Sequence, residues 1–248
     1  TFHPGPHQQG LAAVMRTTRI HVDLELSAGQ ELLLPTAQSA HLLRVLRLRP
    51  GAALTLFNGR GGEYAASLVS ADKSGARVSV NAHDAVERES ALQLTLLQGV
   101  ARGARMDFII QKASELGVQR IVPLLCEFSV VRLDGAELQR RTDHWRGVAI
   151  AACEQCGRNR VPLVEPAASF EAACQGEDAA GELRLMLLPQ ARDSLAALTP
   201  GLRAATLLVG PEGGLSNREQ LLAQRGGFRA CRLGPRILRA ETAPLAAL

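Results

Sequence analysis

The chain has almost no lysine: Lys73 and Lys112 stand alone, and the other 26 of its 28 basic side chains are arginine. Codon bias of a source genome accounts for such a ratio, yet arginine also offers a planar fork suited to phosphate. No uninterrupted apolar run reaches the roughly 18 residues of a membrane-spanning helix. The five cysteines (Cys126, Cys153, Cys156, Cys174 and Cys231) are odd in number and lack the spacing of a secreted disulfide scaffold. Cys153 and Cys156 form a lone CxxC inside a helical pattern, with no second pair to complete a zinc site. The six histidines show no ligand spacing either. No metal is therefore expected, and a reducing cytoplasm is the natural compartment. Residues 1–14 lack the charged flank of a signal peptide and read as an extension ahead of a start at Met15. No Gly-x-Gly-x-x-Gly follows a first strand, no Walker lysine follows a glycine loop, and no Gly-x-Ser-x-Gly elbow occurs. Hydride-transfer, kinase and hydrolase readings are weak on that account.

What is present is material for a large core. At 248 residues, 46% apolar and 21% charged, the chain is expected to form one large or two modest globular domains. Its net charge is +4, and the arginines cluster: Arg16/Arg19, Arg44/Arg47/Arg49, Arg102/Arg105, Arg140/Arg141 and Arg158/Arg160. Such clusters read as solvated faces or as nucleic-acid contacts.

The pattern of the chain changes at Glu87-Arg88-Glu89-Ser90, taken as a boundary between domains 15–88 and 89–248. Before it, Ile20–Leu26, Ala53–Phe57, Glu63–Val69 and Ala76–Ala82 read as short strands. Asn58-Gly59-Arg60-Gly61-Gly62 is a hairpin signal between two of them. One helix interrupts after Pro35-Thr36, with Leu42, Leu43, Val45 and Leu46 as its apolar face. Beyond the boundary, strands at Leu92–Val100, Arg120–Cys126, Val161–Glu165, Leu183–Leu188, Ala205–Val209 and Phe228–Leu233 alternate with helices. Those helices are expected at Arg105–Leu116, Ala136–Gly157, Ser169–Cys174 and Asn217–Gln224. Alternation of this kind implies an α/β domain with a parallel sheet covered on both faces, and ligands in such sheets sit at the carboxyl ends of strands.

Two glycine loops fall at such ends. The run Leu207–Val209 stops at Gly210-Pro211-Glu212-Gly213-Gly214, and Ser216 stands three residues before Glu219, the spacing of a capping box. Leu233-Gly234-Pro235-Arg236-Ile237-Leu238-Arg239-Ala240-Glu241-Thr242 follows the last strand. One such loop is an ordinary βα turn; a pair builds a ligand cleft, because glycine lets backbone N–H groups approach a ligand closely.

These loops, with Gly103–Gly117 and Glu154–Pro162, resemble the RsmE-type ribosomal RNA uridine N3-methyltransferases of the SPOUT class, over residues 16 to 248. The resemblance implies an N-terminal PUA-like β-barrel that binds RNA and a C-terminal α/β domain with a trefoil knot. It implies S-adenosylmethionine as cofactor, a homodimer, and methylation of N3 of one uridine in the RNA of the small ribosomal subunit. The family's last helix usually runs on past the position of Leu248. The cofactor is expected between Leu208, Val209, Gly210, Pro211, Glu212, Gly213 and Gly214 on one side and Leu233, Gly234, Ile237 and Leu238 on the other. Leu187, Leu188 and Pro189 would complete the cleft, and Glu212 would hold its loop by accepting backbone hydrogen bonds. Arg239 is the expected stabiliser of developing negative charge, Glu241 the orienting or proton-accepting carboxylate, and Thr242 an orienting hydroxyl. The alternative for Arg239 and Glu241 is a helix-start ion pair. Arg16, Arg19, Arg44, Arg47, Arg158, Asn159 and Arg160 are the expected RNA contacts, with Arg158–Arg160 equally suited to a dimer interface.

A ribose 2′-O-methyltransferase of the same class would show an Asn-x-x-x-Arg element early in the second domain, and no convincing one is present. A PUA-like RNA-binding module with a degenerate enzyme domain is the rival from another class, and the intact glycines Gly210, Gly213, Gly214 and Gly234 argue against it.

Overall fold

The computed structural model describes residues 17–129, 135–175, 182–198 and 202–248. The chain divides into two units: residues up to Phe57 with Glu63–Asp84, and Asn58–Gly62 with Ala85–Leu248. The leading extension lies outside the described residues.

The first unit is a five-stranded sheet. Its strands are β1 (Thr18–His21), β2 (Glu31–Leu33), β3 (Ala53–Phe57), β4 (Glu63–Asp72) and β5 (Gly75–Asp84), in the order β1-β3-β4-β5-β2. Alternation along β3, β4 and β5 sends Leu54, Leu56, Ala66, Leu68, Ala76, Val78 and Val80 into one core with Ile20 and Val22. β1 is shorter than expected, although Val22 and Leu26 beyond it stay buried. β2 was not anticipated, because three residues carry no readable alternation. The interrupting helix also differs. α1 (Thr36–Ala40) gives way to one wide turn over His41–Val45, closed by Leu46 N–H donating to His41 O at 3.0 Å. That wider turn breaks the 3.6-residue period. Leu42 stays in the core, whereas Val45 and Leu46 are 67% and 39% exposed.

The second unit is built on parallel strands β6 (Gln93–Gly99), β7 (Arg120–Leu125), β8 (Leu163–Val164), β10 (Leu183–Leu187), β11 (Ala204–Val209) and β12 (Arg229–Cys231). Their order is β12-β10-β11-β6-β7-β8, and β9 (Ala168–Ser169) also pairs with β7. On one face lie α2 (Ala104–Glu115), α3 (Gly135–Cys156) and α7 (Thr242–Ala247). They bury Met106, Ile109, Ile110, Ala113, Trp145 and Ala149 against Leu94, Leu96, Leu207 and Val209. On the other face α4 (Phe170–Cys174) and α6 (Asn217–Arg225) pack on Leu97, Met186 and Leu208. α5 (Leu195–Leu198) is one further short turn. α3 ends where Gly157 takes φ +90°, the left-handed stop expected of a C-terminal glycine.

The start of α6 fixes the glycine loop that precedes it. Ser216 Oγ accepts from Glu219 N–H at 3.2 Å, and Glu219 returns a carboxylate oxygen to Ser216 N–H at 2.8 Å. The second oxygen of Glu219 accepts from Glu127 N–H at 2.8 Å, which ties the loop after β7 to the same point. Replacing Ser216 with Ala is expected to lower stability by about 1 kcal/mol, read as a lower urea midpoint with unchanged slope.

Candidate active site

Because β10 lies between β12 and β11, the carboxyl ends of three neighbouring strands open side by side. Leu187–Pro189 after β10, the glycine loop after β11 and Leu233–Leu238 after β12 surround one cleft. The two loops picked out in the sequence are thus brought together. The cavity measures about 180 Å³. That is below the roughly 300 Å³ of a drug-sized site, but the cleft opens to solvent, so a nucleoside-sized ligand is not confined to that volume.

The walls are mainly backbone and apolar side chains. Gly214 and Gly234 both line the cleft, at φ +72° and +146°, and a Cβ added to either would meet nothing within 4 Å. Backbone is therefore presented to open space at positions that side-chain-bearing residues rarely adopt, the cradle that a closely approaching ligand needs. Gly210 also lines the cleft, and its closeness to Gly214 and Leu215 leaves a Cβ only 3.0–3.2 Å of room. Gly99, which sequence reasoning missed, sets the floor beneath: a Cβ there would stand 2.5 Å from both N and Cδ of Pro211. Nothing local in the sequence marks a glycine at a strand end as an abutment of this kind.

Leu187, Leu188, Pro189, Val209, Gly210, Pro211, Glu212, Gly214, Leu233, Gly234, Ile237 and Leu238 all line the cleft as expected. Leu208 and Gly213 do not. Leu208 points through the sheet to the opposite core, because strand side chains alternate and Leu207 and Val209 take the near face. Gly213 faces Phe128, whose Cβ would lie 2.7 Å from an added Cβ, so packing behind the loop demands this glycine. Leu215, Cys231, Arg232, Arg236, Ala240 and Ala243 join the lining unanticipated. Burial pushes the Cys231 thiol up to about 11, so it stands there as a neutral thiol at pH 7.

Glu212 holds its loop as anticipated. One carboxylate oxygen accepts from Arg102 N–H at 3.0 Å and from Arg105 Nη1 at 2.8 Å. Burial opposes its ionisation, but these donors outweigh burial and hold its carboxyl below the ordinary value of 4.5. A lowered folded-state value means stabilisation that is complete above pH 4.5 and lost as pH falls through the lower value. Acid unfolding of wild type is therefore expected to begin below pH 4.5 with a contribution that Glu212→Gln removes, measured as unfolding midpoints from pH 5 to 3.

Arg105 reaches the far side as well: its Nε is 3.8 Å from Glu241 Oε2. A second groove, lined by Arg105, Glu212, Ile237, Leu238, Arg239, Ala240 and Glu241, adjoins the cleft and shares four of its residues. Arg239 and Glu241 thus lie beside the cleft rather than in it. Thr242 opens α7, its N–H donating to Arg239 O at 2.9 Å and its side chain exposed.

The expected RNA contacts divide. Arg44 and Arg47 are exposed on the first unit, with Arg47 at φ 53°. Arg19 is partly buried, paired with Glu63 and stacked 4.9 Å over Phe57. Arg16 lies outside the described residues. Arg158 and Asn159 are buried ties. The Arg158 guanidinium grips Glu89 with two donors and gives Nη1 to Ser114 O and Val118 O, and Asn159 Nδ2 donates to Val86 O. Arg160 is exposed and paired with Glu87 at 2.8 Å. Among the described residues no group of His, Cys, Asp and Glu is placed to hold a metal ion, and no helix is long and apolar enough to cross a membrane.

A family model described as an RNA methyltransferase domain matches residues 88–248, and one described as an RNA methyltransferase PUA domain matches residues 34–81. Together with the parallel sheet and the strand-end cleft, they define a PUA-linked RNA methyltransferase of the SPOUT class. The protein Lpg2936 of Legionella pneumophila, solved with bound S-adenosylmethionine, superposes with TM-score 0.88 at 36% identity, over 94% of this chain and 95% of that one. A ribosomal RNA small subunit methyltransferase E from Neisseria gonorrhoeae, also solved with S-adenosylmethionine, gives TM-score 0.85 at 38% identity, over 93% and 94% of the two chains. The Bacillus subtilis protein of that name is 31% identical over 84% of each chain. The chain belongs to the ribosomal RNA small subunit methyltransferase E family.

Proposed function

We propose that the protein transfers a methyl group from S-adenosylmethionine to N3 of one uridine in small-subunit ribosomal RNA. The observation that carries this reading is the cleft itself: two glycine loops at the ends of β11 and β12, the strands on either side of β10, beside a groove that holds Arg239 and Glu241. Leu187–Pro189, Gly210, Gly214, Leu233, Gly234 and Leu238 would hold the cofactor. When bound, it supplies an electrophilic methyl group: N3 attacks the methyl carbon, the carbon–sulfur bond breaks, and its electron pair stays on sulfur as a neutral thioether.

The chain's own residues do the rest. Uridine N3 carries a proton, and loss of that proton spreads negative charge over the two flanking carbonyl oxygens. Glu241 takes the proton and passes it to solvent. Arg239 stabilises the charge left on the ring, and Thr242 orients it. On the first unit, the exposed Arg44 and Arg47 contact phosphate. Each replacement by Ala is expected to reduce the slope of log affinity against log salt by about 1, measured by RNA titration between low and physiological salt.

A homodimer and a cytoplasmic location belong to the same proposal, since assembled ribosomal subunits and reduced thiols are found there. So does a trefoil knot, supported by a sheet in which β10 stands between β12 and β11 and by α7 packing on α2 and β11. The direct test is mass mapping of methylated nucleosides after incubating the protein and S-adenosylmethionine with unmodified small subunits. One new N3-methyluridine is expected; a methylated ribose instead would replace this reading with the 2′-O one.

A further inference from the structure

The groove beside the cofactor cleft has a pattern of its own. It has a volume of about 400 Å³. Its polar side chains are Arg105, Glu212, Arg239 and Glu241. Arg105 spends one donor on Glu212 and faces Glu241 at 3.8 Å, beyond hydrogen-bond length. Four of the five N–H donors of its guanidinium then remain uncommitted. Among the described residues Glu241 has no closer cationic partner, and the Arg239 guanidinium has no hydrogen-bond or ion-pair partner. Two cations with open donors and a carboxylate with open acceptor sites thus share one groove, next to the place where a methyl donor fits.

The Watson–Crick edge of uracil presents acceptor, donor, acceptor: O4, N3–H, O2. Cytosine presents donor, acceptor, acceptor. We infer that this groove is the seat of the flipped target base, and that Arg105, Glu241 and Arg239 read uracil as a donor–acceptor–donor set. This rests on the methyltransferase reading above and adds the base selectivity and the second arginine. Arg105 donates to one carbonyl oxygen, Glu241 accepts from N3–H, and Arg239 donates to the other carbonyl. A cytosine in the same seat would set its bare N3 against the Glu241 carboxylate and its amino group against a cation. A base extruded from RNA is recognised by such edge contacts, and a site built around specific hydrogen bonds rejects an analogue that leaves them unpaired.

The test is a change of base preference. Small subunits are prepared in two forms, one with the natural uridine and one with cytidine at the nucleotide the wild type methylates. Methyl transfer to each is measured for wild type and Glu241→Gln, with S-adenosylmethionine affinity followed by calorimetry. The amide keeps the shape of the carboxylate and can donate to cytosine N3. Loss of the Glu241 base lowers uridine transfer by itself, so the readout is kcat/KM on cytidine alone, expected to rise at least about tenfold over wild type with cofactor affinity unchanged within about threefold. A cytidine kcat/KM that does not rise above the wild-type value overturns the inference, whatever happens to uridine. Arg105→Lys keeps the charge beside Glu212 but loses the fork. It is expected to raise KM for the subunit several-fold at unchanged cofactor affinity, and wild-type kinetics in that variant would remove Arg105 from the set. If wild type binds S-adenosylmethionine yet methylates neither subunit, the underlying methyltransferase reading falls first and this inference with it.

Discussion

Arg239→Ala is expected to lower kcat for methyl transfer by about 10²–10³-fold, the usual effect of deleting a donor aimed at developing charge. Cofactor affinity should stay within severalfold. The asymmetry follows from position. Arg239 lines the side groove and is absent from the walls of the cofactor cleft. Its side chain is exposed and makes no ion pair among the described residues, so truncation leaves no buried partner stranded and the fold should be untouched. Single-turnover kinetics on unmodified small subunits, with calorimetry of S-adenosylmethionine alongside, separates the two quantities. Wild-type turnover would remove Arg239 from catalysis. Loss of cofactor binding would move it into the cleft.

Gly234→Val is expected to do the opposite: to weaken S-adenosylmethionine by about 10²-fold or more. Two costs combine. The backbone at Gly234 has φ +146°, where a β-branched residue is strained by about 1–3 kcal/mol. The added side chain would also project into open cleft, since nothing lies within 4 Å of its Cβ. The variant should still fold, because that space is empty. Calorimetry is decisive, and unchanged affinity would mean that the ligand does not approach this backbone. Gly213→Val makes a useful contrast. Its side chain would strike Phe128 behind the loop, so the expected result is a lower unfolding temperature ahead of any direct block of the cleft.

Much of this site was readable because its signals are local. A strand that stops at a glycine loop, and a serine three residues before a glutamate, are written in consecutive residues; the capping box at Ser216 and Glu219 forms with both of its hydrogen bonds. The alternation of β11 separates Leu208 from Leu207 and Val209, a signal present in the chain that the placing of Leu208 beside Val209 in the cleft wall contradicts. What could not be read depends on packing between distant segments. Arg158 sits in an arginine-rich stretch that looks like a surface contact, and only the fold brings Glu89 and two carbonyls around it. Arg105 belongs to a helix 107 positions before its partner Glu212, so nothing nearby announces that it reaches the mouth of the cleft. Val45 and Leu46 match a helical face, yet a single wide turn rotates them into solvent.

The abutment of Gly99 against Pro211 has a consequence for the two banks of the cleft. The main chain at Gly99 leaves no room for even a Cβ beneath the proline ring, so the loop after β11 is backed directly by the strand end below it. The opposite bank is different: Ile237 is 83% exposed, between the exposed Arg236 and the half-buried Leu238. The two banks of the cleft are thus unequally backed: the inner one rests on the strand beneath it, and the outer one stands against solvent.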